Sequence, residues 1–305
     1  TFLAELTDGV TVVGRVGLKD RLVVPAGSFA FFDQTGTVII STPGAKDTEL
    51  TRVDIATGEV LWRTSVPDGR YVGSITGTTL VLGGWNGLDA TDVGLVLLDV
   101  VTGTSRVLTP ARPMPENDTG WYRSGLLTPS GKYVLTCLES RDLGCENSLV
   151  DVADGSTVRA LPGTTPPIIA TDRFAITYDG YAVTGIDLRS GQAVWTRADE
   201  DLEFGGGYAI ADQRIVTAWF DRTASIFRIE LVDLANGRGD VVTERDFSED
   251  WTLWPELSGE ASAVIGHGGP IRYAAGEGKA LEAAIVNLAT GALDDRTVRI
   301  VPVEP

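Results

Sequence analysis

The side chains able to do chemistry are few and scattered. The 305-residue chain carries one histidine and two cysteines. His267 stands in Gly266-His267-Gly268-Gly269-Pro270. Alone it makes neither a multi-histidine metal centre nor a two-histidine relay, and in a glycine-rich loop it reads as an exposed side chain. No Gly-x-Ser-x-Gly nucleophile elbow, phosphate loop or Cys-x-x-Cys pair occurs. Gly205-Gly206-Gly207 follows the acidic run 199–203 and leads into a strand-like stretch, so it is a turn rather than an anion cradle. Asp89, Asp92 and Asp221 have the oxygen chemistry for calcium but match no ligand spacing, and read as solvated acids. The sequence thus offers no catalytic residues, no metal site and no cofactor.

Cys137 and Cys145 flank a short polar loop between two strand-like runs. A disulfide across that hairpin is expected, and it requires an oxidising compartment. Twenty-five basic residues against 42 acidic ones give a net charge of −17, which repels phosphate backbones and anionic lipid and excludes nucleic acid as a natural partner. No run of about 18 apolar residues is present to span a membrane. The chain opens at Thr1 rather than Met, so a removed signal or a membrane anchor outside this stretch is expected. Basic residues are mostly arginine, a composition associated with GC-rich bacterial genomes.

What must position any site is a repeat. An aliphatic-Asp-aliphatic-x-x-Gly pattern begins at Val53-Asp54-Ile55, Leu98-Asp99-Val100, Val150-Asp151-Val152, Ile186-Asp187-Leu188 and Val232-Asp233-Leu234. A sixth copy, Val286-Asn287-Leu288, replaces Asp with Asn. In each, the Asp or Asn oxygen can accept from turn amides and the glycine supplies positive φ, which marks a tight turn between antiparallel strands. Strand-like runs flank every copy and no helical period appears. The intervals suit four-stranded blades, predicting an all-β propeller as a single domain over 1–305. Six repeats are countable and seven blades are expected, with residues 1–28 as a partial blade or closing strand.

Two copies, Asp54 to Trp62 and Asp187 to Trp195, read Asp-x-x-Thr/Ser-Gly-x-x-x-Trp. This resembles the tryptophan-docking repeat of the pyrroloquinoline-quinone-like propellers, the superfamily of quinoprotein dehydrogenases and outer-membrane assembly lipoproteins. The resemblance implies that Trp62 and Trp195 pack between neighbouring blades. It also implies a cofactor held by an adjacent cysteine pair, a stacking tryptophan and calcium. With the cysteines eight positions apart that set is missing, so a non-catalytic member is expected.

In a propeller, turns between third and fourth strands share one face, and the remaining connections lie on the other. Five of the seven tryptophans map to that second face, a rim comprising Trp85, Trp121, Tyr122, Arg123, Trp219, Asp221, Arg222, Trp251 and Trp254. Aromatics beside Arg and Asp supply contact area and directional polar groups. The plainer reading is that they pack under loops. The expected function is an extracytoplasmic, non-enzymatic binding or scaffold module recognising a protein or cell-envelope component. The alternative is an enzyme, either a degenerate oxidoreductase or a glycan-active propeller using paired acids.

Overall fold

A computed structural model gives the backbone of residues 2–5, 11–14, 21–24, 29–32, 36–43, 47–67, 70–86, 94–110, 121–140, 144–198, 202–211, 213–221, 223–224, 226–246, 256–257, 262–266, 280–287 and 293–299. Side-chain surroundings are described for most of 36–244. Regular structure among the described residues is strand alone.

The strands follow one another as antiparallel meanders. Sheet I is β1 (Phe2–Glu5), β2 (Thr11–Gly14) and β3 (Arg21–Val24). Sheet II is β4 (Phe29–Phe32), β5 (Thr37–Pro43), β6 (Asp47–Asp54) and β7 (Val60–Pro67). Sheet III is β8 (Arg70–Thr76), β9 (Thr79–Asn86), β10 (Leu95–Asp99) and β11 (Ser105–Thr109). Sheet IV is β12 (Trp121–Leu127), β13 (Tyr133–Ser140), β14 (Gly144–Asp151) and β15 (Thr157–Ala160). Sheet V is β16 (Pro167–Ala170), β17 (Phe174–Tyr178), β18 (Ala182–Asp187) and β19 (Gln192–Ala198). Sheet VI is β20 (Leu202–Ala211), β21 (Arg214–Asp221), β22 (Ile226–Asp233) and β23 (Gly239–Asp246). Sheet VII is β24 (Glu256–Leu257), β25 (Ser262–Gly266), β26 (Ala280–Asn287) and β27 (Leu293–Arg299).

This is the all-β propeller pattern: among the described residues there are six meanders of four strands and one of three, and sheets III and IV join through β9 and β12 into one eight-stranded sheet. β1, β2 and β3 make up sheet I, and sheet VII has four strands without them. The backbone divides into two compact units, Thr1–Pro166 with Pro270–Ala274, and Pro167–Gly269 with Ala275–Pro305.

Five of the six repeat turns are described; the sixth, after Asn287, lies outside the described residues. They share one construction. The glycine amide donates back to the aspartate carbonyl at 2.7–2.9 Å in all five. An aspartate Oδ1 accepts from the amide two residues on, at 2.8 or 2.9 Å. The amide just after each aspartate donates to the start of the second strand, as Val100 does to Thr78 and Leu234 to Gln213.

In the turns of sheets III, IV and VI the carbonyl after the aspartate is met by a side chain of the preceding sheet. Trp62 Nε1 on β7 donates to Val100 O at 2.7 Å, and Trp195 Nε1 on β19 donates to Leu234 O at 2.7 Å. The two indoles lie flat on turn glycines. A Cβ built on Gly103 would stand 3.0 Å from the Trp62 ring, and one on Gly237 would stand 2.6 Å from Trp195.

A β-bulge aims both tryptophans. Leu61 is extra between the pairs Arg52↔Trp62 and Val53↔Val60, and Val194 is extra between Gly185↔Trp195 and Ile186↔Ala193. The bulged residue turns to solvent and the next side chain swings toward the neighbouring sheet. On β11, which has no tryptophan, the extra residue is Leu108, and Arg106 donates to Val152 O instead.

Apolar side chains fill the gaps beneath these contacts. Between sheets II and III lie Ile39, Leu50, Leu80, Leu82 and Leu98; between V and VI lie Phe174, Ile176, Phe204, Ile215 and Trp219. Each buried aliphatic or aromatic side chain contributes about 1.5–3 kcal/mol.

These contacts set an order of expected losses in chemical denaturation. Trp62→Ala or Trp195→Ala should cost about 3–5 kcal/mol through lost packing. Trp62→Phe keeps an aromatic ring but leaves Val100 O without its donor, and should cost about 1–3 kcal/mol. Arg106→Met should also destabilise. A neutral Trp62→Phe would show that the carbonyl contact contributes nothing.

Candidate interaction face

Sheets II to VI each have a turn end and an opposite end, and their electrostatics differ. At the turn end the carboxylates are committed to the backbone. The Thr57 amide holds Asp54 below the usual carboxylate range, and the Thr102 amide does the same for Asp99. At Asp187 burial pushes the carboxyl up, but the Ser190 and Arg189 amides and the Arg173 guanidinium outweigh it, and the net direction is down. Depressed carboxyls often mark catalytic sites. Here the cause is local turn geometry, so these aspartates are neither free bases nor vacant ligands. Among the described residues, no three acids, cysteines or histidines gather as a metal site.

The opposite end carries the aromatic residues. β10 pairs with β9 only as far as Leu82, and the last residues of β9 pair with β12: Gly84↔Arg123, Trp85↔Tyr122 and Asn86↔Trp121. Three rim aromatics predicted from two separate segments, Trp85 in one and Trp121 and Tyr122 in the other, are therefore on adjacent, directly paired strand ends. Arg123 is half-buried, and its Nη1 donates to Thr109 Oγ1 at 2.9 Å, bracing the end of β11.

One rim residue needs correction. Trp219 is only 2% exposed. Its ring meets Phe204 edge-on at 5.3 Å, with the Arg197 guanidinium 5.1 Å above it and its Nε1 donating to Thr217 Oγ1. It is a core residue, as the plainer reading held. β21 is buried at every position from Ile215 to Trp219, so it has no solvent face. Asp221 is a turn residue, with Oδ1 accepting from the Ala224 amide at 2.7 Å. Arg222, Trp251, Trp254 and His267 lie outside the described residues, as do Asp89 and Asp92.

Sheet V adds a residue that the sequence reading missed. Tyr181, at the tip between β17 and β18, is 84% exposed. The tip is rigid in its bonding: Asp179 Oδ1 accepts from the Tyr181 and Ala182 amides, and Tyr178 Oη donates to Gly180 O. The signal was available in Asp179-Gly180-Tyr181, an aspartate-glycine turn presenting an aromatic.

Beneath the second unit's aromatics lies a buried acid. Glu230, 4% exposed at its side chain, is held by Arg197 at 2.8 Å, while Arg228 bridges toward Glu244 at 2.8 Å. Arg197 therefore joins β19 to β22 two residues beyond the Trp195 dock. The expected Cys137–Cys145 disulfide is present, with both residues buried and Cα atoms 5.4 Å apart.

No family model matches the chain, and no curated protein matches it in sequence. Solved structures resemble it in fold. One, from work on two prolyl endopeptidases and on inter-domain dynamics in their catalysis and specificity, superposes with a TM-score of 0.64 at 10% identity. It covers 97% of this chain, which spans just under half (47%) of that protein. BamB from Moraxella catarrhalis gives 0.48 at 13% identity, covering 86% of this chain and 89% of that one. TolB from Acinetobacter baumannii gives 0.46 at 13%, covering 95% and 59%. At these identities the likeness concerns fold alone.

The committed turn carboxylates have a pH signature. A depressed folded-state pKa confers stability that is complete above the unfolded value of about 3.9 and disappears as pH falls through the folded value. Stability should therefore decline steeply below about pH 4. Asp99→Asn keeps an acceptor oxygen, as in the Asn287 copy, and should flatten that slope while keeping the fold. Urea denaturation between pH 3 and 7 measures it; equal acid slopes for the two chains would count against the assignment.

Proposed function

We propose that the chain is a non-enzymatic binding or scaffold propeller, one domain over 1–305, that recognises a protein or cell-envelope component outside the cytoplasm. The observation that carries this is the strand pairing that sets Trp85 opposite Tyr122, and Trp121 beside them, at the end away from the repeat turns. Aromatic residues of this kind dominate protein interfaces because they bury large area at small entropic cost. Tyr181 extends the same chemistry to the second unit. The Cys137–Cys145 disulfide supports an oxidising compartment, and a membrane anchor outside this stretch fits that location.

The docking geometry of Trp62 and Trp195 supports membership of the pyrroloquinoline-quinone-like repeat group, as a member without the cofactor.

A benzophenone side chain at position 85, 121 or 122, introduced singly into the protein in its native host, should give discrete crosslinked products. The same group at the outer-strand positions 61 or 194 should give none. Trp121→Ala with Trp254→Ala should remove the product formed from position 85 and leave the melting temperature nearly unchanged. Absence of products from all three rim positions, or equal labelling from the outer strands, would reject the rim. Quinone-dependent dye reduction by the purified chain would reject the non-enzymatic half.

A further inference from the structure

We propose that the Cys137–Cys145 disulfide is a redox-dependent latch on the strap of residues 161–166, the segment by which the chain leaves its first unit. This does not depend on the binding function above. The strap, Leu161-Pro162-Gly163-Thr164-Thr165-Pro166, contains two prolines and a glycine and joins no sheet. Its prolines hold the segment extended and lack amide donors, so it forms no ladder and its polar backbone groups need partners from elsewhere.

Those partners come from two residues of β14. Asn147 Nδ2 donates to Gly163 O at 3.2 Å and to Thr165 O at 2.8 Å. The Cys145 amide donates to Thr164 O at 3.0 Å, and the Leu161 amide donates to Asn147 O at 2.9 Å. Asn147 is 3% exposed, so its amide is buried within this arrangement. A Cβ on Gly144, at φ +73°, would stand 3.0 Å from Thr164 O, which shows how closely the strap lies on the hairpin.

The disulfide fixes both donors. In the β13–β14 register Cys137 is directly opposite Asn147, and Cys145 is opposite Glu139. The bond therefore runs diagonally from the partner of Asn147 to Cys145 itself. Reduction by a dithiol delivers two electrons and two protons. The sulfur–sulfur bond breaks, each cysteine becomes a thiol, and the reagent closes to its own cyclic disulfide. Two thiols need van der Waals separation where both residues are buried in a packed interior, so the strand ends must part. Parting them withdraws the Cys145 amide and displaces Asn147, and the strap loses its bonds together.

Amide hydrogen exchange at Leu161 and Cys145 reads the latch directly. In Cys137→Ala with Cys145→Ala, both amides should exchange at least tenfold faster than in the oxidised protein, with β17 amides unchanged. If that variant fails to fold, dithiothreitol added to the folded protein, with free thiols verified by alkylation and mass, gives the same comparison. Asn147→Ala, which leaves the disulfide intact, should also accelerate exchange at Cys145. Unchanged exchange at both amides in a chain whose cysteines are replaced or demonstrably reduced overturns the latch, as does an unaffected Cys145 amide in Asn147→Ala.

Discussion

The structure depends on one recurring backbone group, the carbonyl that follows the turn aspartate in sheets III, IV and VI. The preceding amide is bonded within its own sheet and the aspartate side chain is bonded to the turn, so this oxygen is left facing outward. A backbone carbonyl near a packed interface is costly without a donor. The preceding sheet supplies one: the indole N–H of Trp62 for Val100, that of Trp195 for Leu234, and the Arg106 guanidinium for Val152. A need that arises inside one sheet thereby fixes where its neighbour must lie. The glycine ending each turn then carries two constraints at Gly103 and Gly237, positive φ and an indole lying on it.

This arrangement divides the labour between the ends of each sheet. At the turn end, aspartates, glycines and docking side chains are consumed by the fold. Among the described residues the opposite end has no such repeated device, and the strand ends of β9 and β12 and the tip around Tyr181 carry aromatics there. Turn geometry holds the Asp54, Asp99 and Asp187 carboxyls below the usual carboxylate range, so their low values follow from the backbone bonds of the turns. The proposed recognition at the opposite end would therefore not compete for residues with the architecture of the turn end.

Most of the fold was legible because its signals are local. The Asp and Gly of each repeat act within five residues, and the strands beside them carry apolar runs, so sheets II to VI could be read from pattern. The Trp62 and Trp195 docks were legible because an uncommon residue recurred at one spacing. The Arg106 dock was not, because the bulge on β11 lies at Leu108 and moves the donor to a different position after the glycine. Trp219 misled for a related reason. A strand-end tryptophan next to Asp221 and Arg222 resembles a rim residue, but β21 is enclosed on both faces, so alternation gave no warning. The pairing of Trp85 with Tyr122 depends on contact between sheets III and IV, which no local pattern encodes.

The most direct measurement of the account is a double-mutant cycle between Trp195 and Gly237, read by equilibrium denaturation. Gly237→Ala should cost about 1–2 kcal/mol for the left-handed backbone alone and about 1–3 kcal/mol more for collision with the indole. In the Trp195→Ala background the second part should vanish, leaving only backbone strain, as expected for Gly58→Ala, where an added Cβ meets nothing within 4 Å. Equal costs of Gly237→Ala with and without Trp195 would mean that the indole does not rest on the turn, and would contradict the docking on which the account is built.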